Sequence, residues 1–213
     1  VEDFQFAEDL DVALLYTNSV KVWRRNTRGD YWTFRRSTKQ LSRIGAEAEP
    51  STLMFAKLSP DGTKVGYVRA NNLYVESTDG SQRVALTSDG SEEVINGTFD
   101  WVYEEEFACR DGWRWSPDGK HIAYWQLNTN GVPKFTLVDY TSDSYPILKS
   151  FAYPKTGEQN SACRIGVVGA TGGDTVWLDI PGETRTDFYL PRMEWTGRAD
   201  ELGIQRINRL QNT

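Results

Sequence analysis

The chain has 213 residues, of which 38% are hydrophobic, and a formal net charge of −6. That length and composition suffice to bury the core of one large domain or two small ones, and the acidic balance argues against a nucleic-acid partner. No stretch approaches the roughly 18 consecutive apolar residues of a membrane-spanning helix, and the N-terminal "VEDFQFAEDLD" has neither the basic nor the apolar region of an export signal.

Aromatic residues are abundant, with 8 Trp, 10 Tyr and 9 Phe, and helix-favouring runs are scarce, so the expected fold is all-β. In chain order, residues 12–44 read as three or four strands, with Gly29-Asp30 as a tight turn. "FAKLSPDGTKVGYV" (55–68) is a hairpin around Ser-Pro-Asp-Gly, where Pro presets φ, Asp bonds nearby backbone and Gly takes a left-handed conformation. "NLYVESTDGSQRVALT" (72–87) supplies an outer hairpin. "GWRWSPDGKHIAYW" (112–125) then repeats the inner hairpin without a gap, and "KFTLVDYTSDSYPILKS" (134–150) reads as its outer partner. "SACRIGVVGATGGDTVWLDIP" (161–181) adds a hairpin around Thr171-Gly172-Gly173, and "PRMEWTGRADELGIQR" (191–206) is a weaker third copy that keeps the Trp and loses the Pro.

Four antiparallel strands per repeat make the blade of a β-propeller. The expected units are a first partial blade at 12–44, a blade at 53–88, an extended blade at 112–181 and an unfinished blade at 191–213. Propellers close with about four to eight blades, so these residues are expected to be a fragment of a larger propeller domain.

One segment breaks the rhythm. "INGTFDWVYEEEFACRDG" (95–112) fits neither hairpin type, and Asp100 is a candidate N-cap for a short helix of about two turns over "WVYEEEF". Three adjacent glutamates ordinarily mark a solvated face. Here Trp101, Val102, Tyr103 and Phe107 flank them, and the run sits at a junction between repeats. Neighbouring helical residues point about 100° apart, so two glutamates can straddle a small cation. A primary ammonium, with three N–H donors, suits acceptor-only carboxylates. A divalent metal is the competing guest, but calcium-loop spacing and a nearby histidine are both missing.

His121 is the only histidine, and any Ser-His-Asp or Cys-His triad would have to use it. It lies between a turn and a strand, no Gly-x-Ser-x-Gly elbow is present, and a surface or strand-edge position is expected. Cys109 and Cys163 belong to no CxxC or CxxH pattern, which argues against structural zinc, and free thiols are the expectation. Asn96-Gly97-Thr98 is a formal glycosylation sequon.

"NGTFDWVYEEEF" followed by "WRWSPDGKHIAYW" resembles the N-terminal β-propeller of dipeptidyl-peptidase IV, in the prolyl oligopeptidase group of serine peptidases, and its bacterial members most closely. "VKVWRR" (20–25), "YPKTGEQNSACRIGVV" (153–168) and "PRMEWTGRADEL" (191–202) extend the resemblance over nearly the whole chain. It implies part of an eight-bladed propeller, capping an α/β-hydrolase domain that these residues do not include. The enzyme so implied removes N-terminal dipeptides with proline or alanine second, and it needs no cofactor or metal. The last two glutamates of the motif, Glu105 and Glu106, would hold the substrate's α-amino group, and Arg24 would contact a substrate carbonyl. Spacing alone does not choose Arg24 over Arg25, which a strand would point to opposite faces. Glu104 is left without a role. The resemblance further implies a peptide partner with a free N-terminus, a homodimer, and a periplasmic or secreted setting. The rival readings are a non-catalytic propeller that binds proteins, and a tripeptidyl-type or oligopeptidase relative, against which the intact glutamate pair argues.

Overall fold

A computed structural model describes residues 1–213, and the chain is mostly β with one short helix. Antiparallel units follow one another along it. The first holds β1 (Asp3–Phe6), β2 (Val12–Val22), β3 (Arg25–Arg35) and β4 (Gln40–Arg43), each paired with the next. The second repeats that order with β5 (Leu53–Leu58), β6 (Lys64–Arg69), β7 (Asn72–Ser77) and β8 (Arg83–Ala85), and a short β3–β5 pairing, Arg28 with Met54 and Gly29 with Leu53, joins the two units into one eight-stranded sheet. Strand β9 (Val94–Asn96) and helix α1 (Trp101–Phe107) lead into the third, where β10 (Trp113–Trp115) pairs with β11 (His121–Asn128). Hairpin β12 (Lys134–Asp139)–β13 (Ile147–Ala152) forms a sheet of its own. The third unit resumes with β14 (Ala162–Gly169) and β15 (Val176–Trp177), and β16 (Phe188–Trp195) pairs with β17 (Leu202–Asn208).

The Ser-Pro-Asp-Gly spelling works as its chemistry requires. In the first copy Ser59 Oγ donates to Asp61 Oδ1 at 2.6 Å and accepts from Lys64 N at 2.9 Å, while Gly62 takes φ +67°. In the second, Ser116 Oγ donates to Asp118 Oδ1 at 2.7 Å and accepts from His121 N at 2.9 Å, and Gly119 takes φ +68°. Ser77, Asp79 and Gly80 build the same device between β7 and β8, with Ser77 Oγ on Asp79 Oδ1 at 2.7 Å. A degenerate copy joins β1 to β2: Leu10, at φ 60°, replaces the glycine and donates its N–H to Ala7 O at 2.9 Å.

Three expectations are corrected. Gly29-Asp30 is not a turn; both residues lie inside β3, and the hairpin turns at Trp23-Arg24. Position 29 is glycine because a Cβ there would lie 2.3 Å from Tyr16 Cε2. The outer pair of the third unit is β14–β15, not residues 134–150. Cys163, Ile165 and Val168 of β14 are buried against the core, whereas the apolar Leu148 of the hairpin is 67% exposed and has no face to cover. Within 95–112, β9 is also a strand, paired with the far end of β11.

Residues at one repeat position stitch the units together. Lys57, Arg114 and Glu194 each stand two places before the turn that follows the unit's first strand. Trp115 Nε1 donates to Lys57 O at 3.2 Å, and Trp195 Nε1 donates to Arg114 O at 3.4 Å. Lys57 Nζ reaches both oxygens of Asp111 at 2.6 Å and sits 3.9 Å from the Trp113 ring centroid, while Arg114 Nε binds Glu194 at 2.8 Å. Burial pulls the Lys57 ammonium down to about 8, with Asp111 opposing that shift. Fully buried Trp113 fills the space over Gly66, where a Cβ would lie 2.6 Å from the indole.

Gly66→Ala is therefore expected to lower unfolding free energy by about 1–3 kcal/mol in urea titrations, because a packed indole must move. The turn carboxylates make a second prediction. Hydrogen bonds from Ser77 and Ser81 hold Asp79 down from its ordinary 3.8 to about 2. A lowered folded-state value means stabilisation that is complete above about pH 4 and lost as pH falls through about 2. Asp79→Asn should flatten that part of the acid-denaturation profile.

Candidate functional site

Helix α1 begins where Asp100 leaves the extended region, at φ −78° and ψ 178°, and its Oδ1 accepts from Tyr103 N at 3.0 Å. The other carboxylate oxygen accepts from Ser161 Oγ at 2.5 Å, which ties the helix start to the approach to β14. Burial pushes the Asp100 carboxyl up, and the bonds from Ser161 and the helix N–H groups oppose it. Ala108 ends the helix at φ 56°, and Cys109 N donates back to Tyr103 O at 3.1 Å. The expected cap and short helix are thus both present.

Tyr103 anchors the buried face. Its ring stacks on Phe99 with centroids 5.6 Å apart, and its hydroxyl accepts from Leu190 N at 3.1 Å. The glutamates that follow fall into three environments, as steps of about 100° dictate. Glu104 is buried against Arg110 Nε at 3.2 Å, and burial raises its carboxyl while Arg110 opposes the rise. Both Glu105 oxygens accept from Arg24 Nε, at 2.9 and 2.7 Å. Glu106 is exposed and makes no hydrogen bond within the chain.

Arg24 arrives from the β2–β3 turn, 81 residues away in sequence. Because that turn, not a strand, carries it, Arg24 and Arg25 are not related by strand alternation. Only Arg24 reaches the helix, and its terminal nitrogens make no hydrogen bond within the chain. Of the three residues singled out from sequence, Arg24 and Glu105 are thus in contact, and Glu106 follows Glu105 on α1 as an exposed residue. Beside them, on the Glu104 side of α1, a cleft of about 380 Å³ is lined by Trp23, Phe55, Trp101, Glu104, Arg110 and Phe151 among others. Sequence reasoning gave no role to Arg110, Ser161 or Phe151; each meets the helix from a distant or irregular segment, with no local spacing to announce it.

The remaining candidates resolve as follows. His121 is exposed at the first position of β11. Cys109 and Cys163 are buried and free, and burial pushes the Cys163 thiol up to about 12. Asn96 is 0% exposed and donates its amide to Asp89 Oδ1 at 2.9 Å and Asn71 O at 3.0 Å, so the folded chain has no room for a glycan there. No group of three or more His, Cys, Asp or Glu is arranged to hold a metal ion.

Repeated four-stranded units with an acidic helix between them describe a propeller-type region, and comparison with known proteins identifies which. Residues 7–213 match the family described as the dipeptidyl peptidase IV (DPP IV) N-terminal region, and the chain belongs to that family. Dipeptidyl aminopeptidase B of Saccharomyces cerevisiae is 32% identical over 95% of this chain and 25% of its own length. Dipeptidyl peptidase 4 of Felis catus is 32% identical over 100% of this chain and 29% of its own. The crystal structure of Porphyromonas gingivalis dipeptidyl peptidase 4 superposes with a TM-score of 0.90 at 29% identity, covering 100% of this chain and 30% of that one. The chain thus spans between 25% and 30% of the length of these relatives.

The cap makes a prediction. Asp100→Ala should destabilise the fold by about 1–2 kcal/mol in guanidinium titrations, whereas Asp100→Asn, which can still cap, should keep most of the parent stability.

Proposed function

We propose that this chain is the substrate-anchoring part of a serine exopeptidase that releases N-terminal dipeptides with proline or alanine in the second position. In this reading Glu105 and Glu106 bind the free α-ammonium of the peptide, and Arg24 turns its free guanidinium nitrogens toward a substrate carbonyl. The observation that carries it is the meeting of Arg24 and Glu105 at 2.7 Å, with exposed Glu106 the next residue after Glu105 on the helix. Glu105 keeps lone pairs for an incoming ammonium, since an ionised carboxylate offers about four acceptor sites and Arg24 Nε engages one on each oxygen.

The pair then acts as a ruler. With the amine fixed, the bond two residues into the peptide lies at a constant distance from α1, and a serine in an α/β-hydrolase domain attacks it there. That domain, the remaining blades of an eight-bladed propeller, a homodimeric assembly and a periplasmic or secreted location all belong to the proposal. What supports the peptidase reading is that the relatives are dipeptidyl peptidases and dipeptidyl aminopeptidases.

In the full-length protein, Glu105→Gln and Glu106→Gln should each lower kcat/KM for a chromogenic glycyl-prolyl amide by about ten- to a hundredfold, the worth of one charge-assisted hydrogen bond. Circular dichroism and Tm should stay close to the parent values, and an N-acetylated substrate should not be cleaved. Since the substrate amine loses its proton near pH 7.7–8.0, roughly, KM should also rise above that range. Unchanged kinetics in both variants, or equal cleavage of the blocked substrate, would remove the anchoring role.

A further inference from the structure

We propose that Phe151, on β13, is a positioning residue for the amine-anchoring site, acting through the Trp23-Arg24 turn and the start of α1. This rests on the reading of Glu105, Glu106 and Arg24 given above.

The hairpin β12–β13 is not required to complete the third unit, which closes through β10, β11, β14 and β15. Its base nevertheless carries an aromatic cluster that leaves the hairpin and reaches two other elements. Phe151 meets the Trp23 ring edge-on with centroids 4.6 Å apart and faces Trp101 at 6.5 Å. Tyr153 packs on Trp101 at 4.2 Å, and Phe135 backs both residues at 6.3 and 5.5 Å. Trp23 directly precedes Arg24. Trp101 opens α1 and stands one helical turn before Glu105, on the same side of the helix. One ring therefore touches both elements that bring the two halves of the Arg24–Glu105 pair together.

The backbone at Trp23 strengthens the case. It sits at φ 42°, a region that glycine enters freely and a bulky side chain does not. The residue there is nevertheless a tryptophan, 39% exposed, whose closest aromatic neighbour is Phe151. The ion pair is too weak to hold the turn alone, because the Arg24 side chain is 73% exposed and exposed pairs contribute little. Seating of the Trp23 ring against Phe151 fixes the turn, and the turn fixes where Arg24 points. Aromatic pairs hold geometry as well as area, since edge-on contacts have a preferred orientation.

The test compares Phe151→Leu, Phe151→Tyr, Trp23→Gly and Glu105→Gln in the full-length protein, with a chromogenic glycyl-prolyl amide as substrate. Phe151→Leu should raise KM about three- to tenfold with kcat changed less than about twofold, and Phe151→Tyr, which keeps the ring, should restore the parent KM. If Phe151→Leu does not fold, Trp23→Gly replaces it, because glycine accepts the turn conformation without strain, and the same rise in KM is expected. A KM within about twofold of the parent in these variants, alongside a large effect of Glu105→Gln, overturns the role of Phe151 and leaves the anchoring reading standing. No effect of Glu105→Gln overturns both.

Discussion

Stacking one four-stranded unit on the next buries backbone groups that water can no longer reach, and each must find a partner. The indole nitrogens of Trp115 and Trp195 meet that constraint between units, each donating to a carbonyl of the preceding unit's first strand. The bond is directional, so it also sets register. With Trp115 held on Lys57 O, Trp113 fills the space over Gly66, and Lys57 closes the contact by spanning Asp111 and the Trp113 ring. Everything between the second and third units, α1 included, is placed by this docking. Arg24 belongs to the first unit and Glu105 to the junction, so their meeting depends on three units stacking in register.

Local chemistry wrote the repeat plainly into the sequence. A turn that needs Pro, Asp and Gly at fixed places repeats its letters, and the hairpins around Gly62 and Gly119 lie where the letters put them. Where other residues meet the same backbone need, the signal fades. Ala7-Glu8-Asp9-Leu10 makes a similar turn with Leu10 at φ 60°, and no spelling in the sequence marks β1 in consequence. Gly29 misled for the opposite reason: its glycine answers the packed Tyr16 ring and not a turn. The hairpin at 134–150 alternates like an outer pair, and nothing local reveals that the apolar face of β14 competes for the place beside β11 and wins.

The candidate site divides in the same way. The cap at Asp100 and the helix after it follow from neighbours in sequence, and were legible. The distant partners were not: Arg24 on Glu105, Arg110 on Glu104 and Ser161 on Asp100 reach α1 from other turns and segments. Arg24 alone was singled out in advance, through resemblance and not through spacing. Glu104, left without a role by the sequence, has one in the fold. Its burial against Arg110 holds the helix on the cleft wall and removes one carboxylate from the exposed group.

That removal bears on which cation the site suits. Three consecutive carboxylates would carry three negative charges, enough to favour a divalent ion. Arg110 neutralises Glu104 on the buried side, and Arg24 offsets Glu105 at the surface, so Glu105, Glu106 and Arg24 together carry a net charge of about −1. A single ammonium brings such a group to neutrality, whereas a divalent metal overshoots it. The ammonium also loses less on leaving water, because its three donors find acceptors in a fan that two staggered carboxylates on a helix can supply. Arg24 thus serves the proposed anchor twice: it sets the charge of the acidic pair, and its terminal nitrogens stay free for a second contact.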